Sequence, residues 1–439
     1  MYVFSFPRRS LLKSFKLQLH FNDPHAYNDI YVNGNRFTKD PKTYLALHQD
    51  ESSLCMVDLR EIKTRRDVIN PLFSRRAILK LEHVITRKIE ALISKLLPYE
   101  TLGKPVDLRR AYRSATLDII TSYCFAREYS IIEAPDFRHK MILDYELSLP
   151  LFHVLRHFPF LLTALVFVDQ IKSLFKPKGV GVLGDGHTRM QKTIDELVER
   201  PELLDNEEHE TIFHHLLTPP KGQSEIPSKK SLMEEALNLT VAGSDTVGTA
   251  ATVGSVYILS DPAALAKLVA ELEDAWPDKD SPMPLETLEK LPYLTAVVKE
   301  SLRLSHGVVF PAARVVAPSD AIIAGFAVPA GSVVAMGSTF IHYNPEIFPD
   351  PHAFRPERWL QSEQTAAGLE QYLVSFSKGP RSCIGVNLAW AEMYMLLGHV
   401  FRKVDMELYN TTVDDLAFKC HFTPTYRGRM IQCLVKART

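Results

Sequence analysis

The sequence contains no long apolar run. No stretch reaches the roughly 18 consecutive apolar residues that a membrane-spanning helix requires. The first residues also carry too short an apolar region for a secretory signal peptide. The sequence therefore predicts no transmembrane segment within this chain.

Cysteines are few, and their spacing excludes two kinds of site. Five are present, an odd number, and no two stand in a Cys-x-x-Cys pair. Such widely spaced cysteines argue against a disulfide framework and against a zinc site, and they are typical of a reducing compartment. A lone cysteine is usually a small, inert core residue. We interpret four of the five in this way, namely Cys55, Cys124, Cys420 and Cys433.

Neither sign of charge dominates the chain. Lysine and arginine total 51 against 52 aspartates and glutamates, which leaves a formal net charge of −1. Nucleic-acid binding needs a basic field that this mixed distribution does not provide, so we exclude nucleic acid as a partner. With 439 residues, 46% of them hydrophobic, the chain can bury one large core. We predict a single domain over residues 1–439.

Helical periodicity covers most of the chain. Apolar residues recur at three- and four-residue spacing from residue 40 to about residue 148. A further helix is predicted to end near Ser305, and residues 308–341 then hold short β-rich runs cut by proline and glycine. The pattern predicts a mainly α fold with a small β region.

A long helix is predicted over Ser231–Leu259. Ser231 followed by Glu234 is a capping-box pattern, and the helix is expected to end before the Asp-Pro pair at residues 261–262. The second half of the segment is apolar on most sides, which is typical of a helix inside the protein. We therefore expect this helix to run through the core.

The most informative local feature is a cysteine directly before a predicted helix. Cys383 lies in the loop 376–385, and a helical pattern follows at residues 386–400. Free backbone N–H groups and the helix dipole at such a position lower the pKa of a thiol and hold the thiolate that a metal ligand must be. Gly379 and Gly385 would let the loop turn tightly and approach a flat cofactor.

This loop resembles the signature of cytochromes P450. Residues 376–385 match Phe-x-x-Gly-x-Arg-x-Cys-x-Gly at every fixed position. The resemblance implies the cytochrome P450 fold, an α-helical haem domain with a minor antiparallel sheet. It also implies that the Cys383 thiolate is the proximal ligand of the iron of haem b and pushes electron density toward it. By the same resemblance Arg381 pairs with a haem propionate, and Phe376 packs beside the sulfur.

A second motif lies in the middle of the long helix, at residues 242–246. Glycine and threonine beside an aspartate in mid-helix usually mean a packing notch or a bend. The segment resembles the oxygen-binding groove of the family, where a helix distortion at Gly243 leaves room for O2. The resemblance implies that Thr246 hydrogen-bonds the bound oxygen and that Asp245 connects it to outside water.

Glu300 and Arg303 are three residues apart on one face of a predicted helix and can pair. This spacing occurs by chance in many helices, where it is an ordinary surface pair. Downstream, residues 354–359 match the family's Pro-Glu-Arg-Phe/Trp element. The resemblance implies that Arg358 completes a buried structural network with Glu300 and Arg303.

Two further arginines are candidates for contact with the haem propionates. Arg314 lies in the β-rich region where family members place such an arginine. Arg66 stands four residues after the position where many members have tryptophan or histidine, and this chain has Ile62 there. The departure removes one expected propionate partner.

The resemblance extends from about Leu19 to the C-terminus. Residues 20–27, 37–41 and 70–74 are similar to filamentous-fungal members of secondary metabolism, which oxidise terpenoid and polyketide-like natural products. Microsomal members carry a membrane helix, a hinge and the first strands of the main sheet upstream. Residues 1–16 offer none of these clearly, so we expect them to be missing through a truncated gene model or a shortened variant.

Residues 158–168 form the most lipid-like segment. Its eleven residues are consistent with a core helix or with a segment that dips into a membrane interface. The segment falls where family members have a lipid-facing connection over the substrate channel. The resemblance therefore implies peripheral contact with the cytosolic face of the endoplasmic reticulum membrane, while a cytoplasmic location stays open.

Three hypotheses of function follow. The first is a monooxygenase that inserts one oxygen atom of O2 into an apolar small molecule, with electrons from NADPH through a flavin-containing cytochrome P450 reductase. The second is a haem-thiolate isomerase or dehydratase, and the third is a haem-binding protein without turnover. The intact Asp245-Thr246 pair favours the first, since isomerase members tend to lose the threonine. We predict a monomer, and the sequence does not name the substrate.

Overall fold

The structure of the chain is a computed structural model. The described residues are 11–14, 18–32, 34, 36–44, 47–158, 161, 185–205, 207–219, 225–428 and 430–438. Most of residues 158–168, the lipid-like segment of the sequence, therefore lie outside the described residues.

Helices make up most of the described chain, as the sequence predicts. Short 3-10 turns join several of them, including Pro356–Trp359 and Gly379–Arg381. In chain order the helices are α1 (Pro24–Tyr31), α2 (Pro41–Tyr44), α3 (Leu59–Ile69), α4 (Arg75–Leu96), α5 (Pro98–Leu102), α6 (Leu108–Phe125), α7 (Lys140–His157), α8 (Asp185–Glu199), α9 (Ile212–Leu217), α10 (Lys229–Ser260), α11 (Pro262–Ala275), α12 (Leu285–Leu288), α13 (Pro292–Ser305), α14 (Thr339–His342), α15 (Glu363–Glu370) and α16 (Val386–Lys403).

The long helix α10 begins earlier than predicted, and a different residue caps it. Ser228 is the N-cap, and its Oγ accepts from the backbone N–H of Ser231 at 3.0 Å. Ser231 and Glu234 instead bond the segment before α3, where Glu234 Oε2 accepts from the Glu51 N–H at 2.7 Å. The capping-box prediction was wrong because a distant segment, invisible to local pattern, takes up both side chains.

Helix α10 runs through the core between α6 and α13. A Cβ at Gly243 would lie 2.6 Å from Ile120 Cγ1 of α6, and one at Gly254 would lie 2.1 Å from Ser301 Oγ of α13. These positions require glycine because real Cβ atoms do not approach so closely. The glycines bring α6 and α13 into direct contact with α10, which fixes the helices that frame the cavity described below.

The β structure is small and divided among four sheets. The largest has the strand order β1-β2-β8-β5-β3, and β4-β12-β9 form a three-stranded sheet beside two hairpins, β6-β7 and β10-β11. The strands are β1 (Leu11–Ser14), β2 (Gln18–Phe21), β3 (Thr38–Lys39), β4 (Val106–Asp107), β5 (Arg314–Val315), β6 (Ala321–Ile323), β7 (Phe326–Val328), β8 (Val333–Ala335), β9 (Val404–Leu408), β10 (Phe418–Cys420), β11 (Pro424–Tyr426) and β12 (Gln432–Ala437).

The predicted β structure at residues 308–341 is confirmed by strands β5 to β8, but they do not form one sheet: β5 and β8 join the largest sheet, and β6 and β7 pair separately. Ala324 and Gly325 join β6 to β7 and have positive φ angles of 47° and 79°. Two consecutive residues in that conformation form the tight hairpin turn whose twist matches the flanking strands. Glycine suits the second of these positions because it carries no Cβ.

The expectation that the early strands are missing was wrong. Strands β1 and β2 pair antiparallel, and β2 also pairs in parallel with β8, with Leu19 opposite Val334. Four-residue strands give too little alternation to be recognised locally, and their pairing with β8 comes from a distant part of the chain.

No single helix within the described ranges is long and apolar enough to cross a membrane. Helices α10 and α11 pass such a test only as a pair, across a bend of 111°.

Candidate active site

A cavity of about 520 Å³ lies between the middle of α10 and the loop before α16. Cys383 and Phe376 line it from the loop, and Gly243 and Thr246 line it from α10. The structure thus brings two motifs that are far apart in the sequence to one cavity. Most of the other lining residues are apolar, among them Phe73, Ile120, Leu149, Leu155, Leu239, Val247, Ala250, Leu302, Val308, Phe310, Leu388 and Phe422.

Backbone hydrogen bonds fold the cysteine loop tightly. The Cys383 N–H donates to the Phe376 carbonyl at 2.9 Å, and the Ser382 N–H donates to the Gly379 carbonyl at 3.0 Å. Gly379 has a positive φ of 73°, and a Cβ there would lie 2.0 Å from the Tyr31 carbonyl oxygen at the end of α1. Glycine is required here for contact with α1, and Gly379 does not line the cavity among the described residues.

Gly385 differs from Gly379. It is the N-cap of α16 with φ of −83°, a conformation open to any residue. A Cβ there would meet Phe73 at an ordinary 3.8 Å, and Gly385 lines the cavity beside Cys383. Its position fits the predicted close approach to a flat cofactor, although its geometry does not demand glycine.

Cys383 lines the cavity and is solvent-accessible there, while the surrounding protein encloses its thiol closely. Burial raises the pKa of this thiol above its ordinary value, while the Gly385 N–H and the charge of Arg66 act to lower the pKa. The sequence predicted the lowering effects and missed the larger cost of burial. A thiolate at this position therefore needs a directly bonded cation, which a metal ion supplies because a coordinated thiol is deprotonated.

Arg66 and Arg381 hold backbone around the cavity. Arg66 donates to the Pro380 carbonyl at 2.8 Å and the Ser382 carbonyl at 2.7 Å, so it clamps the loop of Cys383. Arg381 donates to the Met56 carbonyl at 2.9 Å. Both arginines line the cavity.

Arg314 lines the same cavity and has a neighbour that the sequence did not reveal. It donates to the Ala313 carbonyl at 3.1 Å. Lys39 lies directly opposite Arg314 in the antiparallel β3–β5 pair and is also buried and cavity-lining. Like charges directly opposite one another in a sheet are destabilising. The pairing of Lys39 with Arg314 is therefore unfavourable unless an anion lies between them.

The four cavity cations, Lys39, Arg66, Arg314 and Arg381, lack a compensating acid. Within the described residues no carboxylate lies within 4.0 Å of any of them. Asp40 does not compensate Lys39, because its carboxylate accepts from the backbone N–H of Thr43 at 3.1 Å. Burial and the neighbouring arginines hold the pKa of Lys39 well below its ordinary value, and burial lowers the pKa of Arg381 to about 10.

Thr246 presents its side chain to the cavity while bonded to its own helix. Its Oγ1 donates to the Ala242 carbonyl at 2.8 Å, which leaves its lone pairs available to a donor in the cavity. Gly243 lines the cavity and also packs on Ile120. Gly243 therefore does two things at once: it lets α6 pack closely against α10, and it forms part of the cavity wall.

Asp245 points away from the cavity lining. It is fully buried and pairs with Arg109 at 3.2 Å and with Arg113 Nε at 3.1 Å, both on α6. Arg113 also pairs with Glu146 at 3.0 Å, and Glu146 is 22% exposed. The sequence did not foresee this chain of charges, which runs from Asp245 toward the surface.

The network around Glu300 has the predicted members and one more. Glu300 Oε1 accepts from Arg303 Nη2 at 2.8 Å and from Arg358 Nε at 3.0 Å. The unforeseen member is Trp359, whose indole N–H donates to Glu300 Oε2 at 2.9 Å. All four side chains are buried.

Comparison with known proteins decides the family. The family model of cytochrome P450 matches residues 17–423 of the chain. The chain belongs to the cytochrome P450 family. The predicted fold class, a mainly α haem domain with small sheets, is thereby confirmed.

Similar proteins come from filamentous fungi. Cytochrome P450 monooxygenase flvC of Aspergillus flavus is 33% identical over 424 residues, which cover 95% of this chain and 77% of that protein. Monooxygenase macH of Penicillium terrestre is 33% identical, with 96% of this chain and 82% of that protein covered. Monooxygenase TRI4 of Fusarium sporotrichioides is 31% identical, with 91% and 76% covered. These similarities confirm the predicted resemblance to fungal members, and the chain is a cytochrome P450 monooxygenase.

The family carries a haem bound through a cysteine thiolate, and the residues present fit that group. Cys383 supplies a sulfur donor at the cavity surface. The uncompensated cations, Lys39, Arg66, Arg314 and Arg381, match a ligand that carries carboxylates. Lys39 escaped the sequence analysis because a lone lysine in a two-residue strand gives no signal until the opposite strand is known.

Proposed function

We propose that the protein inserts one oxygen atom of O2 into an apolar small molecule of the terpenoid or polyketide-like class. The substrate gains a hydroxyl oxygen, the second oxygen atom leaves as water, and the reaction consumes two electrons and two protons. The observation that carries the proposal is the meeting of Cys383 and Thr246 at one largely apolar cavity bordered by four uncompensated cations.

Cys383 would hold the haem iron, and the four cavity cations would hold its propionates. When bound, the haem supplies O2 binding and O–O cleavage, which a thiolate ligand favours. The Phe376 carbonyl accepts from the Cys383 N–H at 2.9 Å, and the Phe376 ring lies 6.0 Å from that of Trp390. These rings would exclude water from the sulfur and so preserve its electron donation.

Thr246 and Asp245 would divide the handling of protons. The Thr246 hydroxyl can accept from and donate to a group in the cavity. Asp245, through Arg113 and the partly exposed Glu146, offers a charged connection toward solvent. Because Asp245 is tied to two arginines, its carboxylate would have to exchange partners to reach the cavity.

The apolar lining supports an apolar substrate. Leu149 and Leu155 of α7, Leu239 of α10, and Val308 and Phe310 line the cavity. Such side chains bind by burial of apolar surface and leave orientation to a few polar groups. Val308 and Phe310 lie in the segment that joins α13 to β5, so both helices and this connection would contribute to recognition.

Electrons would come from NADPH through a cytochrome P450 reductase, and the monomer would contact the cytosolic face of the endoplasmic reticulum. Family membership supports the reductase. A stripe of exposed apolar residues on and after α7 supports the membrane contact, because Leu147, Leu151, Val154 and Phe158 recur at helical spacing and are 41–77% exposed.

Oxygen incorporation tests the proposal. Purified protein, a fungal reductase and NADPH are incubated under labelled O2 with a panel of terpenoids and polyketides, and products are analysed by mass spectrometry. We expect one labelled oxygen atom per product molecule and no product without NADPH. Rearranged products that lack the label would favour a haem-thiolate isomerase, and haem binding without any product would favour a protein without turnover.

A further inference from the structure

Two hydroxyl groups meet on the side of the cavity that α10 borders. Tyr145 of α7 and Thr423, in the turn between β10 and β11, both line the cavity. Their oxygens lie 3.3 Å apart, and the Tyr145 hydroxyl oxygen lies 3.5 Å from Asp245 Oδ2. Asp245 directly precedes Thr246 on α10. The Tyr145–Thr423 pair therefore belongs to the α10 side of the cavity and not to the loop of Cys383.

The elements that carry the pair are not those that would hold the haem. The sulfur of Cys383 would bind the iron, and the four cavity cations that would hold the propionates lie on β3, α3, β5 and the Cys383 loop. None of these groups lies on α7 or in the turn between β10 and β11. The Tyr145–Thr423 pair is thus a polar feature of the cavity that binding of the haem does not account for.

The same elements present apolar side chains to the cavity. Leu149 and Leu155 follow Tyr145 on α7, and Phe422 directly precedes Thr423. The ring of Phe422 stacks on that of Phe310 at 6.0 Å. The Phe422 carbonyl also accepts from the Phe310 N–H at 3.3 Å, which fixes the turn that carries Thr423. The pair is therefore a fixed polar point within a largely apolar wall.

The two hydroxyls do not use their full capacity for hydrogen bonding. Ordinary O–H···O bonds measure about 2.5–3.0 Å, and the contacts of Tyr145 with Thr423 and Asp245 are longer. Among the described residues neither hydroxyl makes another hydrogen bond. Ser148, by contrast, donates to the Tyr145 carbonyl at 2.8 Å. Because each hydroxyl can donate one hydrogen bond and accept two, the pair retains capacity for a ligand oxygen.

The pair offers no charge to a ligand. Burial, together with the charge of Asp245, raises the pKa of Tyr145, so the side chain is a neutral phenol at neutral pH. The neighbouring arginines, Arg109 and Arg113, are already paired with Asp245. Such surroundings favour a neutral oxygen over a carboxylate. A bare hydrocarbon placed here would shield the hydroxyls from water without supplying a partner, which costs free energy.

We propose that Tyr145 and Thr423 are specificity-determining residues that bind a neutral substrate oxygen, a ketone or a hydroxyl, so that the enzyme prefers molecules that are already oxygenated. The inference rests on the proposed function and narrows its substrate class. A few polar groups in an apolar pocket fix the orientation of a ligand. Anchoring one oxygen of an otherwise apolar molecule would limit which of its carbon atoms can be oxidised.

Binding of matched probes tests the inference. Valencene, nootkatol and nootkatone share one carbon skeleton and carry no oxygen, a hydroxyl and a ketone, and naphthalene and 2-naphthol form a smaller set. Titration of the haem-loaded protein, followed by the change in Soret absorbance, gives a dissociation constant for each probe. Tyr145→Phe should weaken binding of an oxygenated probe about three- to tenfold, as expected for the loss of one hydrogen bond. Binding of the hydrocarbon of the same set should be unchanged or tighter, because no hydroxyl is left without a partner.

Further variants separate recognition from shape. Thr423→Val keeps the shape of the side chain without its hydroxyl and should act in the same direction as Tyr145→Phe. Tyr426→Phe and Thr425→Val are the matched controls, because both residues lie on β11 outside the cavity lining. The controls should leave every affinity unchanged. If Tyr145→Phe weakens all probes equally, or weakens none, the proposal is overturned.

Binding and turnover distinguish this inference from the oxygenation itself. If the probes bind with the expected dependence on Tyr145 but no labelled product forms, the oxygenation fails and the inference stands. If products form and Tyr145→Phe alters neither the affinity for nootkatone nor the positions at which it is oxidised, the oxygenation stands and the inference is refuted. If no probe binds, the proposed substrate class is wrong and the inference is overturned with it.

Discussion

The network around Glu300 and the group of four cavity cations both place charged side chains inside the protein, yet they differ in one respect. Glu300 accepts hydrogen bonds on both oxygens from Arg303, Arg358 and Trp359, so that its charge is matched inside the protein. The cavity cations, such as Lys39 and Arg314, have no such match in the described chain. Buried charge that is compensated internally serves the fold, whereas buried charge without compensation marks a place for a ligand.

Asp245 shows the same internal compensation as Glu300, because Arg109 and Arg113 of α6 both pair with it.

The largest effect is expected for Glu300→Gln. The change leaves Arg303 and Arg358 buried without a counter-charge, and we expect a loss of about 3–5 kcal/mol in the free energy of unfolding, measured by urea denaturation. Glu370→Gln removes a half-exposed partner of Lys299 and should cost less than about 1 kcal/mol. Equal losses in the two variants would break the distinction between compensated and surface charge.

A smaller effect is expected for Lys39→Met, which should weaken haem binding without lowering the stability of the haem-free protein. Haem affinity, measured by transfer to apomyoglobin, should fall about tenfold, because a hydrogen bond to a charged group contributes about 1.5–3 kcal/mol. Stability of the haem-free protein should not fall, since the repulsion between Lys39 and Arg314 is removed. Lys42→Met, on the exposed side of α2, should change neither quantity.

Lys39 should also affect how the free energy of unfolding of the haem-free protein depends on pH. The folded pKa of Lys39 is depressed below the unfolded value of 10.5, so between the two values the unfolded chain binds more protons. The free energy of unfolding therefore gains a contribution as pH rises toward 10.5 and loses it as pH falls through the folded pKa. Lys39→Met should lack this contribution, and an identical pH profile in both proteins would contradict the burial of a charged lysine.

The smallest structural effect is expected for Thr246→Ala, which loses one helix hydrogen bond. It should keep its haem and cost about 1 kcal/mol of stability, yet divert electrons from product to hydrogen peroxide. Thr252→Ala is the matched control, because Thr252 makes the same bond, to the Gly248 carbonyl at 2.6 Å, on the same helix but outside the cavity lining. If both variants lose coupling equally, the Thr246 hydroxyl has no role beyond its hydrogen bond within α10.

Features encoded in contiguous sequence could be predicted, and features made by distant pairing could not. The cysteine loop and the Glu300 and Arg358 motifs were recognised from short segments, and the structure brings their residues together as expected. Lys39 gained its meaning only from Arg314 across the sheet.

The cap of α10 and the early strands were missed for the same physical reason. Ser231 and Glu234 bond a segment far away in the sequence, which overrides their local capping preference. Strand β2 acquires its place through parallel pairing with β8. Local propensity is a weak guide wherever tertiary partners decide the outcome.

The spectrum of the reduced protein under carbon monoxide tests the central claim most directly. Haem bound through a thiolate gives a strongly red-shifted Soret band, which we predict for wild type and for the control Cys420→Ala. Cys383→Ala should lose that band. A wild-type protein whose band lies at the position typical of a nitrogen ligand, or a Cys383→Ala variant that keeps the red shift, would contradict the assignment of Cys383 as the iron ligand.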